Sequence, residues 1–105
     1  MEWIYLVLAG LFEIGWPIGL KLGWTESGPR FLWIGFAVLC MALSGALLLM
    51  AQRVIPMGTA YAVWTGIGAA GTFVVGIAFF GDATTTLRIA SACLIIAGVI
   101  GLKFA

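Results

Sequence analysis

The stretch that decides the fold is FLWIGFAVLCMALSGALLLMA, Phe31 to Ala51, which contains no charged side chain. A helix of about 20 apolar residues is long enough to cross the hydrocarbon core of a bilayer. Three more apolar runs surround it along the chain, and the short last one carries Arg88 and Lys103 near its ends, where they can reach the headgroups. The sequence therefore predicts four transmembrane helices, at about 3–22, 31–51, 58–80 and 87–104.

The composition points to the same class of protein. Of the 105 residues, 64% are hydrophobic and 9% are charged, and the mean hydropathy is +1.21. A soluble domain this small could not bury so much apolar surface, whereas a lipid bilayer removes the problem. We expect one domain, residues 1–105, with an all-α integral membrane fold.

The same features exclude several classes of function. The net charge is +1 and the basic residues are scattered, so no nucleic-acid partner is expected. We find no glycine-rich phosphate loop, no nucleophile elbow and no metal-binding cluster, and Cys40 and Cys93 each lie inside an apolar run, as small buried residues do. The sequence predicts a protein that is not an enzyme and that needs no metal or other cofactor.

The short connections predict an up-down-up-down bundle with both termini on one side of the membrane. Arg53 and Lys103 would lie on that side, and Lys21, Arg30 and Arg88 on the other. Two basic residues against three give almost no positive-inside bias. Both orientations are then expected, which makes sense if the working unit is an antiparallel pair of identical chains.

One charged residue is predicted to lie unusually deep in the membrane. Glu13 lies roughly 15 Å from either end of the first helix, and an ionisable residue near the bilayer midplane indicates a functional site. Trp16 is at i+3 on the same face, and its indole N–H can only donate. Gly10, at i−3, is expected to leave open space there, and Pro17 to free a backbone carbonyl and kink the helix. The alternative is that a protonated Glu13 bonds two helices together.

The third predicted helix repeats this arrangement. Tyr61 and Trp64 are three residues apart, and Gly66 and Gly68 follow them. The glycines suit a kink or hinge, and they equally suit close helix packing.

The second and fourth predicted helices contribute small residues, either serine or glycine. Ser44 is the most central hydroxyl of the second helix, and Ser91 and Gly98 form a smooth stripe on the fourth that suits helix association. Carboxylate, indole, phenol and hydroxyl groups together describe a cation site. In a pair of chains, two Glu13 side chains would approach each other and could hold protons or an organic cation, but poorly both at once, which is a sufficient basis for proton-coupled antiport.

The chain resembles the small multidrug resistance family over essentially its whole length. The segment GTAYAVWTGIG, residues 58–68, is a highly specific match to that family's third helix. Trp16 in LFEIGW and the serine at Ser44 make the chain most similar to the guanidinium exporter branch. Departures are Pro17 and Gly19, where alanine is common, and the turn 81–83.

The resemblance implies an antiparallel, dual-topology homodimer in the plasma (inner) membrane of a prokaryote. It would exchange guanidinium, or substituted guanidinium ions, for protons by alternating access. Glu13 would bind the cation or protons, and Trp16 and Ser44 would hydrogen-bond to it and position it. Tyr61 would be an aromatic gate, and Trp64 would line the site.

Gly66 and Gly68 would form the hinge, and the stripe from Ser91 to Gly98 would carry dimer packing. Two alternatives stay open. The same machinery could export larger quaternary ammonium or hydrophobic cations, or the chain could be a non-transporting assembly subunit in which Glu13 only bonds helices together.

Overall fold

The fold consists of four long helices and one short hairpin. A computed structural model describes residues 1–105, and each helix bound lies within one residue of its predicted range. All four helices are long and apolar enough to cross a membrane, which confirms the predicted all-α membrane fold. In chain order the helices are α1 Glu2–Gly23, α2 Phe31–Ala51, α3 Met57–Phe80 and α4 Thr86–Phe104.

The ends of α3 and α4 follow from local chemistry. The helix α3 begins directly after Pro56, whose ring fixes a backbone φ that suits a helix start. It ends at Phe80, and the next residue, Gly81, takes a left-handed conformation with φ of 69°, as glycine does most readily. Thr85 then caps α4, because its hydroxyl accepts a hydrogen bond of 3.3 Å from the Arg88 N–H.

The connection between α1 and α2 is a hairpin that the sequence analysis did not predict. Two strands of two residues each, β1 Trp24–Thr25 and β2 Gly28–Pro29, pair antiparallel. The Thr25 hydroxyl donates to the Gly28 carbonyl at 2.8 Å, and Gly28 has a φ of 114° that other residues rarely adopt. The hairpin leaves Glu26 exposed in its turn.

The helix α1 lies at the centre, against both α2 and α3, while α4 packs against α3. A small residue permits close packing of α1 on α2: a Cβ on Gly19 would lie 2.9 Å from the Ala37 Cβ and 3.0 Å from its backbone nitrogen. A buried apolar cluster joins α1, the end of α2 and α3, and it comprises Leu6, Ala51, Ile55, Ala60 and Val63.

The helix α4 has no buried residue. Cys40 is buried, as expected, but Cys93 is exposed, because α4 has a neighbour on one side only. The helix α1 runs without interruption through Pro17. Because proline has no N–H, the carbonyl of Glu13, four residues earlier, lacks its usual helical donor.

Candidate functional site

The site is built around Glu13 and Trp16 on one face of α1. The Trp16 Nε1–H donates a hydrogen bond to Glu13 Oε1, as their i, i+3 spacing predicts. Both side chains are half-buried, and Glu13 has no basic partner within ion-pair distance. An indole donor orients the carboxylate without neutralising it.

A cavity of about 310 Å³ opens beside this pair, between α1 and α3. Its walls hold one carboxylate and no basic side chain, so the cavity suits a cation. Its lining residues are Glu13, Trp16, Pro17, Thr65, Gly68, Ala69 and Thr72.

Gly68 makes room for the carboxylate side chain. A Cβ at this position would lie 2.5 Å from the Glu13 Cγ and 3.1 Å from its Cβ. Gly66 faces the other way, and its Cβ would lie 2.5 Å from Val99 Cγ2 on α4. The helix α3 is continuous through both glycines, so they act here in close packing, and the hinge stays a prediction.

The expectation of open space at Gly10 is wrong. Gly10 is buried, and a Cβ there would lie 2.6 Å from Ile67 Cγ2. Ile67 on α3 lies directly over this glycine and fills the space that the sequence left open. Gly10 therefore serves the contact between α1 and α3.

Ser44 lies elsewhere in the network than predicted. Its side chain is buried and donates to the Ala9 carbonyl at 2.7 Å, and it accepts a hydrogen bond of 2.8 Å from Trp64 Nε1. It contacts neither oxygen of Glu13. In an α-helix the Ala9 carbonyl also accepts from the N–H of Glu13, so Ser44 acts on the backbone turn that carries the carboxylate.

The remaining predicted residues lie outside the Glu13 cavity. Tyr61 is 57% exposed, and its ring rests against Trp64 with centroids 5.4 Å apart. On α4, Ser91 bonds its own helix through the Leu87 carbonyl at 2.7 Å, and Gly98 has nothing near its Cβ position. Ser91 and Gly98 are thus free to meet another surface.

Thr65 and Thr72 line the cavity, although the sequence analysis did not single them out. A signal was present, because Thr65, Gly68 and Thr72 follow one another at spacings of three and four residues. Such spacings place residues on one face of a helix. Two small hydroxyl side chains and a glycine on one face indicate a polar wall in an otherwise apolar helix.

Comparison with known proteins decides the family. The model of the family described as Small Multidrug Resistance protein matches residues 1–95. The chain belongs to the small multidrug resistance family. This confirms the resemblance seen in residues 58–68, and it identifies the four helices as those of a multi-pass inner-membrane protein of a prokaryote.

Named relatives of this small multidrug resistance protein are transporters. A guanidinium exporter of Escherichia coli (strain K12) is 48% identical over 103 residues, which cover 98% of this chain and 96% of the relative. One of Yersinia pseudotuberculosis serotype I (strain IP32953) is 49% identical over 107 residues, covering 100% and 99%. One of Citrobacter freundii is 48% identical over 105 residues, covering 98% and 96%.

Proposed function

We propose that this protein exports guanidinium in exchange for protons. The observation that carries the proposal is the Glu13 carboxylate, which lies inside the membrane-spanning region, accepts from Trp16 and has no basic partner. The names of relatives at about 48% identity support guanidinium as the substrate.

The chemistry of the cavity fits this ion. Guanidinium is planar and weakly hydrated, and it can bond a carboxylate with two parallel N–H groups. It also stacks on aromatic rings. The bulk of Trp16 beside Glu13 narrows the cavity and favours a small planar cation over a large hydrophobic one.

Exchange follows from the single carboxylate. A protonated Glu13 has lost the charge that attracts the cation, and a cation-bound Glu13 offers no free oxygen for a proton.

In this proposal Trp16 orients Glu13, while Trp64 and Ser44 hold the turn from Ala9 to Glu13. Tyr61 is the aromatic gate.

The transporting unit in this proposal is an antiparallel homodimer with two Glu13 side chains. The stripe from Ser91 to Gly98 supplies the packing surface, since α4 has no buried residue in the single chain. Gly66 and Gly68 act as the hinge for alternating access, because glycine permits backbone changes that other residues resist.

The test is exchange by purified protein in liposomes. A proton gradient should drive guanidinium uptake in the wild type, and Glu13→Gln should abolish it because the amide cannot take up and release a proton. Glu26→Gln is the matched control, since Glu26 lies in the exposed hairpin turn, and it should transport normally. Uptake of methyl viologen is measured in the same assay as uptake of guanidinium.

Two outcomes contradict the proposal. Transport of methyl viologen without guanidinium would favour an exporter of large cations. Normal exchange by Glu13→Gln would indicate that the carboxylate only bonds helices together.

A further inference from the structure

A second cavity adjoins the Glu13 cavity at the end of the molecule where α1 and α3 finish. It has a volume of about 130 Å³, and its charged lining residues are Lys21 and Asp82. Both cavities are lined by Pro17 and Thr72, so they lie next to each other. We call the second cavity the outer recess. It lies between the Glu13 cavity and the membrane surface.

Lys21 places a cation on an aromatic ring in the outer recess. It lies eight residues beyond Glu13, about 12 Å further along α1, and its Nζ is 5.1 Å from the centroid of the Phe80 ring. An ammonium at this distance is attracted to the face of the ring. A guanidinium ion arriving from the water would seek the same face.

Asp82 supplies the recess with a carboxylate held by the backbone. The Asp82 N–H donates to the Gly76 carbonyl at 3.1 Å, directly after the turn at Gly81. The carboxylate lies against Gly76, where any Cβ would collide with it. Asp82 forms no ion pair with Lys21 or with any other basic group. Its oxygens are therefore free to meet a mobile cation.

We propose that the outer recess is a station for the transported cation on its way to Glu13. Asp82 attracts guanidinium into the recess, and Lys21 is a tethered cation that competes with guanidinium for the Phe80 ring. This inference deepens the proposed function and rests on it. It adds two specificity-determining residues that lie outside the Glu13 cavity.

The sequence of contacts follows from the chemistry of the two cations. A guanidinium ion in the recess bonds to the Asp82 carboxylate and displaces the Lys21 ammonium from Phe80. The ammonium is the more strongly hydrated of the two cations, so it moves readily back to water. Guanidinium then moves past Pro17 and Thr72, which line both cavities, and reaches Glu13.

The test compares the KM for guanidinium in proton-driven exchange among matched variants. Asp82→Asn should raise the KM about two- to fivefold, the range expected for an exposed ion pair. Lys21→Gln should lower the KM about two- to fivefold, because the competing cation on the ring is lost. Lys21→Arg keeps a cation there and replaces the ammonium by a guanidinium group, which stacks on aromatic rings more readily, so its KM should be equal to or higher than that of the wild type.

Two controls make the same chemical changes at residues that do not line the recess. Lys103→Gln removes an ammonium that lies 5.1 Å from the Trp3 ring at the other end of the molecule, and Glu26→Gln removes an exposed carboxylate. Both should keep the wild-type KM. The effect of Asp82→Asn should also shrink as ionic strength rises, which a purely structural role of Asp82 would not produce.

The outcomes separate this inference from the function on which it rests. If the wild type does not exchange guanidinium for protons, the proposed function fails. If the wild type exchanges and Glu13→Gln does not, but Lys21→Gln and Asp82→Asn match their controls, the recess inference alone is overturned. If Lys21→Gln does not fold, the KM of Asp82→Asn and its salt dependence still decide the matter.

Discussion

Ser44 is the residue through which three helices meet. Its hydroxyl accepts from Trp64 on α3 and donates to Ala9 on α1, and it is itself part of α2. The bond to Ala9 is buried and the bond from Trp64 is partly buried, and in such surroundings an unpaired donor is costly. Ser44 thus connects the aromatic residues of α3 with the turn of α1 that carries Glu13.

Replacing Ser44 by alanine should destabilise the protein. The substitution leaves Trp64 Nε1 without its acceptor, and we expect the free energy of unfolding to fall by about 1–3 kcal/mol. The measurement is thermal unfolding of purified protein in detergent. Ser27→Ala is the matched control, because Ser27 is exposed in the hairpin turn and its hydroxyl bonds only Thr25.

A double variant tests whether the bond between Ser44 and Trp64 is responsible. If it is, Ser44→Ala combined with Trp64→Phe should cost less than the sum of the two single changes. Equal melting temperatures for Ser44→Ala and Ser27→Ala would contradict the role assigned to Ser44.

The two hydrogen bonds near Glu13 differ in how far the sequence could predict them. The bond from Trp16 to Glu13 lies within one helix, where a spacing of three residues fixes the relative positions of the side chains. The partner of Ser44 lies on another helix. Which atom Ser44 contacts depends on how α2 is rotated about its axis relative to α1. Because apolar residues lie on every face of α2, the sequence alone does not define that rotation.

At the scale of elements, the contact of α1 with α3 shapes the site. Two glycines on opposite helices make it possible, since Gly10 faces Ile67 and Gly68 faces Glu13. The helix bounds could be predicted from apolar length and from breakers such as Pro56 and Gly81. Which glycine is covered by a side chain of the other helix could not be predicted, because that requires knowing which face of α1 meets α3.

Adding a methyl group to Gly68 should weaken cation binding. Its Cβ would lie 2.5 Å from the Glu13 Cγ, so Glu13 would have to leave its position beside Trp16. Overpacking of this kind costs about 1–3 kcal/mol, and a loss of 1.4 kcal/mol is about tenfold in affinity. We expect Gly68→Ala to raise the KM for guanidinium by about that factor in liposome exchange.

Gly45→Ala is the control for the added methyl group. Gly45 lies on α2 with nothing within 4 Å of its Cβ position, so this variant should keep the wild-type KM. A Gly68→Ala protein that folds and transports like Gly45→Ala would show that the close approach of Gly68 to Glu13 does not matter for binding.

The whole molecule is thin. Its principal extents are 47 × 34 × 17 Å, and a helix with its side chains is about 10 Å across, so the chain is at most two helices thick. Only 16 of 105 residues are buried, and Tyr61 and all of α4 lie outside the core. A cavity in such a chain is open to lipid on one side, which favours a second copy as the missing wall.

The arrangement of that second copy can be tested through charge. Each variant keeps Lys21 and Glu13. Substituting Glu2→Lys, Gln52→Lys and Arg30→Gln shifts the basic residues to four against two and favours one orientation. Substituting Arg53→Gln and Glu26→Lys shifts them to one against four and favours the other. If the transporter is an antiparallel pair, each variant expressed alone should fail to exchange guanidinium.

Co-expression of the two variants should restore guanidinium exchange, because it supplies one chain in each orientation. The measurements are guanidinium resistance of cells and exchange by the co-purified pair, with a reporter fused to the C-terminus to establish the orientation of each variant. Glu13→Gln in both partners should remove the restored activity, which ties it to the paired carboxylates. Full exchange by either variant alone, in a single established orientation, would show that a parallel pair or a single chain transports, and the near balance of basic residues would then need another explanation.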